Sequence, residues 1–169
     1  FLSAYMDETS GNEEIPVVHP EFGGRKGAQP EVRRLPDSMQ EEEHLAAWLK
    51  ERFAAGVPYR DMAVLGRFNT QLDRLQGALA KRKIPAILAN VPIQTQDAVR
   101  LLTMHSSKGL EFNSVAITDL GCMPCAKVPA EEEARLLYVA LTRSTERLLV
   151  TYCRESEFTK QVERLRAPE

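Results

Sequence analysis

From residue 37 onward the apolar positions follow two alternating patterns. Asp37 or Ser38 stands where a helix cap is favoured, and Glu41, Glu42 and Glu43 suit the positive end of the helix dipole. Leu45, Trp48, Leu49 and Phe53 then recur at helical spacing until Gly56 and Pro58 end the run. Short apolar runs at 62–65, 84–89, 99–104, 115–120 and 148–152 read as strands. Between them, 70–83 places Leu72, Leu75 and Leu79 on one helical face, 131–146 reads as a helix, and 155–165 as a closing amphipathic helix. Strands alternating with helices predict an α/β fold with a largely parallel sheet covered on both faces. In such sheets functional residues are expected just past the carboxyl ends of the strands.

The first 37 residues break this rhythm. Gly11, Pro16, Pro20, Gly23, Gly24, Gly27, Pro30 and Pro36 punctuate them too often for long elements, leaving room for one short strand at 31–35. The expected division is an irregular segment, 1–37, leading into a folded domain, 38–169. A total of 169 residues with 43% hydrophobic and 27% charged side chains is ordinary for one globular domain and unlike disordered or fibrous chains. No apolar run approaches the length of a membrane span, and the FLSAYMDETS start has neither the basic flank nor the apolar core of a signal peptide. Three cysteines at low density suit a reducing, cytoplasmic setting.

Charge changes the picture little. The net value is −2, with residues 1–60 acidic and 61–169 slightly basic, so composition neither requires nor excludes nucleic acid. The pair Cys122 and Cys125 forms a C-x-x-C, but zinc needs four ligands, and only Cys153 with His19 or His44 remains to complete a set. No metal site is expected.

Three segments place polar residues directly after an expected strand. In VLGRFNT, Arg67 and Asn69 emerge at a strand end, as a phosphate contact and a hydrogen-bonding amide, or as a surface charge and a helix cap. In TMHSSKGLEF, the run His105, Ser106, Ser107, Lys108 and Gly109 has the character of an anion-binding turn. Glu111 there either pairs with Lys108 or accepts hydrogen bonds from sugar hydroxyls. In EEEARLLYVALTRS, Arg143 and Arg147 lie at the far end of the expected helix, favourable for its dipole. Arg143 is alternatively an arginine aimed at a phosphate bound elsewhere.

In this order, the last two segments closely resemble motifs V and VI of superfamily I DNA helicases of the UvrD/Rep/PcrA type, and DMAVLGRFNTQLDRL resembles their segment IVa. The resemblance covers residues 61–72, 101–112 and 131–148. It implies a RecA-like three-layer α/β sandwich with a mostly parallel sheet, the second motor domain (2A) of an ATP-dependent DNA helicase. It further implies Arg143 as an arginine finger on the γ-phosphate and Glu111, with Gly109, at the ATP ribose. Arg67, Asn69, His105, Ser106 and Lys108 would touch single-stranded DNA. Walker A and B residues, and with them Mg2+, would belong to an N-terminal RecA-like domain of the same polypeptide, so this chain alone is expected to be inactive.

Three departures accompany the likeness. The motif IV run is absent and would precede Phe1. Only about 30 residues separate IVa from motif V, which leaves out the 2B insertion. Ala134 stands where the family usually has a first arginine. The competing expectation is a non-catalytic RecA-like module that holds single strands or a protein partner; an unrelated α/β enzyme using His105 and Lys108 explains less.

Overall fold

The computed structural model describes residues 28–88 and 96–164. Six strands, β1 (Glu31–Arg34), β2 (Met62–Gly66), β3 (Ala86–Leu88), β4 (Val99–Thr103), β5 (Phe112–Ile117) and β6 (Ser144–Tyr152), form one sheet in the order β1-β6-β5-β2-β4-β3. Every pairing among the described strands is parallel. Four helices cover it: α1 (Ser38–Ala54), α2 (Asn69–Lys81), α3 (Ala130–Leu141) and α4 (Glu157–Arg164).

The side-chain alternation of the central strands builds two cores. Met62, Val64, Leu101 and Ala116 face α1 and α2, where Leu45, Leu49, Leu75 and Leu79 meet them. Ala63, Leu65, Leu102 and Ile117 face α3 and α4, against Leu137, Ala140 and Phe158. All five residues of β2 are buried, as a strand covered on both faces requires. The three-layer α/β sandwich expected from the pattern is present.

Local chemistry explains the helix starts. The Asp37 carboxylate accepts from the Gln40 amide at 2.8 Å, the capping role read from sequence. At α2 the Gln71 side-chain oxygen accepts from the amides of Arg67 and Phe68, both at 2.8 Å, reaching back from the third helical position.

Several expected boundaries move. The helix expected over 131–146 ends at Leu141, and Ser144–Arg147 join β6 because they extend its parallel pairing with β5 from Phe112↔Ser144 onward. Arg147 therefore lies in a strand and does not meet a helix dipole. The strand expected at 115–120 runs from Phe112 to Ile117, and Leu120 turns into a short 3₁₀ segment. Phe53, expected in the core, is 46% exposed and stacks on Tyr59 with ring centroids 4.4 Å apart. The irregularity expected before residue 28 lies outside the described residues, as do Ala89 and Leu165 at the ends of two expected elements.

Candidate functional site: two ends of one sheet

The residues singled out from sequence separate into two groups. Arg67 and Asn69 follow β2, and His105 and Ser106 follow β4, at the carboxyl end of the sheet. Glu111 immediately precedes β5 and Arg143 immediately precedes β6, so both lie at its amino end. Arg67, Asn69, His105 and Ser106 lie past carboxyl ends as expected, whereas Glu111 and Arg143 do not. Residues 104–111 cross from one end to the other, because the parallel pairing of β4 and β5 around β2 demands a return connection.

This crossing segment is internally stitched. The Met104 amide donates to the Gly66 carbonyl at 2.9 Å, and the Ser106 amide donates to Thr103 Oγ1 at 3.1 Å. The amides of Ser107, Lys108 and Leu110 donate to Thr103, His105 and Ser107 carbonyls. An anion cradle of free amides is therefore largely ruled out at these positions, since the turns consume the donors. Met104 is core, as its place in the strand pattern suggested. Gly109 has φ +81, a conformation glycine adopts without a Cβ penalty, and it reverses the chain ahead of Glu111. His105, Lys108 and Glu111 are exposed, and no ion pair joins Lys108 to Glu111 among the described residues.

At the amino end, Arg143 is half-buried and its guanidinium is held by three local acceptors. Nε donates to the Val139 carbonyl at 2.8 Å, one terminal nitrogen to the Leu110 carbonyl at 3.1 Å, and the other to Thr142 Oγ1 at 3.0 Å. The Leu110 contact ties the start of β6 to the residue beside Glu111. The Phe112 amide adds a second tie by donating to the Arg143 carbonyl at 3.0 Å.

At the carboxyl end one of the expected DNA contacts is already paired within the protein. Arg67 is paired with Glu133 on α3, through Nε at 3.0 and 3.1 Å and a terminal nitrogen at 2.7 Å. The two side chains are 11% and 1% exposed. These hydrogen bonds raise the Arg67 pKa further, and through Nε and one terminal nitrogen the guanidinium ties α3 to the β2 end. Asn69, by contrast, is exposed with no side-chain hydrogen bond among the described residues. Ala134, where the resemblance would place an arginine, is fully buried in the α3 core and serves packing.

Sequence reasoning missed the network behind Arg67. Gln71 Nε2 donates to Asp119 Oδ2 at 2.8 Å and to Cys122 Sγ at 3.3 Å, while Arg154 donates to the other Asp119 oxygen at 3.2 Å. Glu41 Oε1 accepts from the Asp119 amide at 2.7 Å and from Thr151 Oγ1 at 2.6 Å. The one local signal was Gln71, at the third position of a helix that follows a strand. Burial pushes the Cys122 thiol up to about 11, so it is a poor thiolate and C-x-x-C chemistry has little support. His44 stands near Glu31, with Nε2 3.6 Å from its carboxylate; His19 lies outside the described residues.

Glu41 is 3% exposed, and burial, opposed in part by Thr151 and the Asp119 amide, raises its pKa above the ordinary carboxylate range. A carboxyl raised on folding contributes most below its unfolded pKa of about 4.3 and loses that contribution as pH rises through the folded value. Glu41→Gln keeps the accepting oxygen and carries no charge to desolvate. Its stability relative to the parent is expected to rise as pH increases from 4 towards neutrality, read from urea midpoints across pH; a difference independent of pH would contradict this.

Comparison with known proteins meets this geometry. Residues 88–155 match the family model for the UvrD-like helicase C-terminal domain, a span that contains both the crossing segment and Arg143. The ATP-dependent DNA helicase Rep of Buchnera aphidicola subsp. Schizaphis graminum is 34% identical over 131 residues, covering 73% of this chain and 18% of that protein. DNA helicase II of Escherichia coli K12 is 45% identical over 64 residues, 34% of this chain and 9% of that protein. The chain thus spans less than a fifth of the length of these relatives. The C-terminal domain of a possible DNA helicase from Lactobacillus plantarum WCFS1 superposes with a TM-score of 0.68 at 20% identity, covering 80% of this chain and 81% of that one, which supports the RecA-like fold. The chain carries a UvrD-like, superfamily I helicase C-terminal domain.

Proposed function

We propose that this chain is the C-terminal half of an ATP-driven motor on single-stranded DNA. The observation that carries the proposal is the segment 104–111, which joins a DNA-facing set at the carboxyl end (Asn69, His105, Ser106, with Lys108 along the segment) to a nucleotide-facing set (Gly109, Glu111, Arg143) at the amino end. A shift at either end strains the other, because the turn hydrogen bonds leave the segment little slack. In this reading Glu111 accepts hydrogen bonds from the ATP ribose. Arg143 leaves its local acceptors to stabilise charge on the transferring phosphoryl.

Magnesium does not fit here. Among the described residues the trio able to converge on one ion is Glu41, Asp119 and Cys153, whereas Mg2+ favours oxygen ligands and retained waters. Asp119 is already bound by Arg154 and Gln71. The proposal therefore leaves the Walker residues and the ion to an N-terminal RecA-like domain, and this chain alone is inactive.

A non-catalytic module is the second reading, favoured by the fact that Arg143 satisfies its guanidinium locally. The motor reading, and the module reading in its single-strand form, require DNA contact, tested by titrating labelled single-stranded DNA at two salt concentrations. Affinity is expected to fall as salt rises, and Lys108→Ala to reduce that salt slope by about one contact. An affinity indifferent to salt and to Lys108 would remove DNA from the account.

A further inference from the structure

At the first turn of α1, apart from both motif groups, two carboxylates and a thiol converge. Glu41 is on α1, Asp119 follows β5 and Cys153 follows β6, and one ligand atom from each lies within 4.8 Å of the other two. Glu41 and Asp119 are buried, whereas Cys153 is partly open to solvent. Glu41 Oε1 is occupied, accepting from the Asp119 amide and Thr151, but Oε2 is buried with no hydrogen-bond partner. A carboxylate oxygen left unpaired away from water is costly and calls for a positive occupant. The frame around it is tight. A Cβ on Gly121 would meet the Arg154 carbonyl oxygen at 2.3 Å, so this close approach holds the 153–154 bend against residues 119–122.

We propose that Glu41, Asp119 and Cys153 form a zinc site that clamps α1, the turn after β5 and the end of β6 together. The inference stands independently of the motor reading, since none of the three belongs to the nucleotide-facing or DNA-facing sets. The thiol selects the metal: Mg2+ and Ca2+ take oxygen shells, whereas Zn2+ accepts sulfur and carboxylate oxygen together. Three protein ligands leave the fourth tetrahedral position to water, on the open side at Cys153. With bonds of about 2.0–2.3 Å, tetrahedral ligands sit roughly 3.5 Å apart, so the trio needs only a small closure. Gln71 holds Asp119 Oδ2, the kind of outer contact that orients a ligating carboxylate. Arg154 reaches the other oxygen at 3.2 Å, and its side chain, 63% exposed, can swing into solvent as the ion enters. Burial and the two carboxylates push the free Cys153 thiol up; the ion supplies the opposing charge, and its binding expels the thiol proton to solvent.

The test is titration of the metal-free chain with Co2+, whose thiolate complexes absorb in the near ultraviolet, followed by displacement with Zn2+. One equivalent is expected to produce the thiolate band, and Zn2+ to abolish it. Cys153→Ser is expected to lose the band, whereas the double variant Cys122→Ser with Cys125→Ser keeps it. Glu41→Gln, which retains the oxygen that accepts from Thr151, is expected to weaken binding roughly tenfold or more. Zn2+ at about a hundredfold excess over its Kd should raise the parent's melting temperature by on the order of 10 °C and leave Cys153→Ser unmoved. No band in the parent, a band that survives Cys153→Ser, or one lost with Cys122 and Cys125 would overturn the zinc site. So would an affinity unmoved by Glu41→Gln or a parent melting temperature unmoved by Zn2+.

Discussion

Arg143→Ala in the full-length protein is expected to lower DNA-stimulated ATP turnover by roughly 10³–10⁵-fold while leaving most ATP binding in place. The asymmetry follows from when the interaction is needed. Charge spreads over the phosphoryl oxygens only in the transition state, so a guanidinium aimed there lowers the barrier without tightening the ground-state complex. Arg143→Lys is expected to recover little, because an ammonium lacks the planar fork. The structure adds a control. The same side chain bonds the Val139 and Leu110 carbonyls and Thr142, so its loss also loosens the start of β6, at a cost of about 1 kcal/mol. Urea unfolding of the variant separates that cost from the catalytic one, and full turnover in Arg143→Ala would refute the finger assignment.

The second large effect concerns stability. Glu133→Ala leaves the Arg67 guanidinium nine-tenths buried without its partner and also removes the acceptor of the Cys125 amide, 3.2 Å from Glu133 Oε2. Breaking a buried pair from one side costs about 3–5 kcal/mol, and in a domain of this size the melting temperature should fall by on the order of 10 °C. Replacing both members, as Arg67→Met with Glu133→Leu, removes the stranded charge and is expected to restore most of the loss. A single substitution as mild as a surface change, measured by thermal unfolding, would show that the pair is solvated and that Arg67 is available for other work.

What the sequence disclosed follows from what was local. Met62–Leu65 was legible as a strand because burial on both faces demands an unbroken apolar run. The start of β6 was not, since Ser144–Arg147 are polar and solvent-facing and owe their extended form to pairing with β5. Glu146 and Arg147 therefore looked like the tail of a helix. The same distinction governs the site. His105, Ser106, Glu111 and Arg143 could be proposed from sequence because their motifs are contiguous. The fate of Arg67 was hidden, because Glu133 is 66 positions away and the acidic triplet containing it reads equally well as a helix start. Which end of the sheet each motif occupies was also hidden, since strand order is a property of pairing and leaves no mark on spacing. The departure at position 134 proved informative in the same way: a buried alanine in the α3 core leaves no room to expect an exposed contact.

The central claim is that this chain is half of a composite ATP site, and the most direct measurement is ATP hydrolysis by this chain, by an N-terminal RecA-like domain carrying the Walker residues, and by the two together, each with and without single-stranded DNA. Each half is expected to be silent alone, and the pair to hydrolyse ATP faster when DNA is present. Hydrolysis by this chain alone, or a partner domain whose rate this chain leaves unchanged, would contradict it.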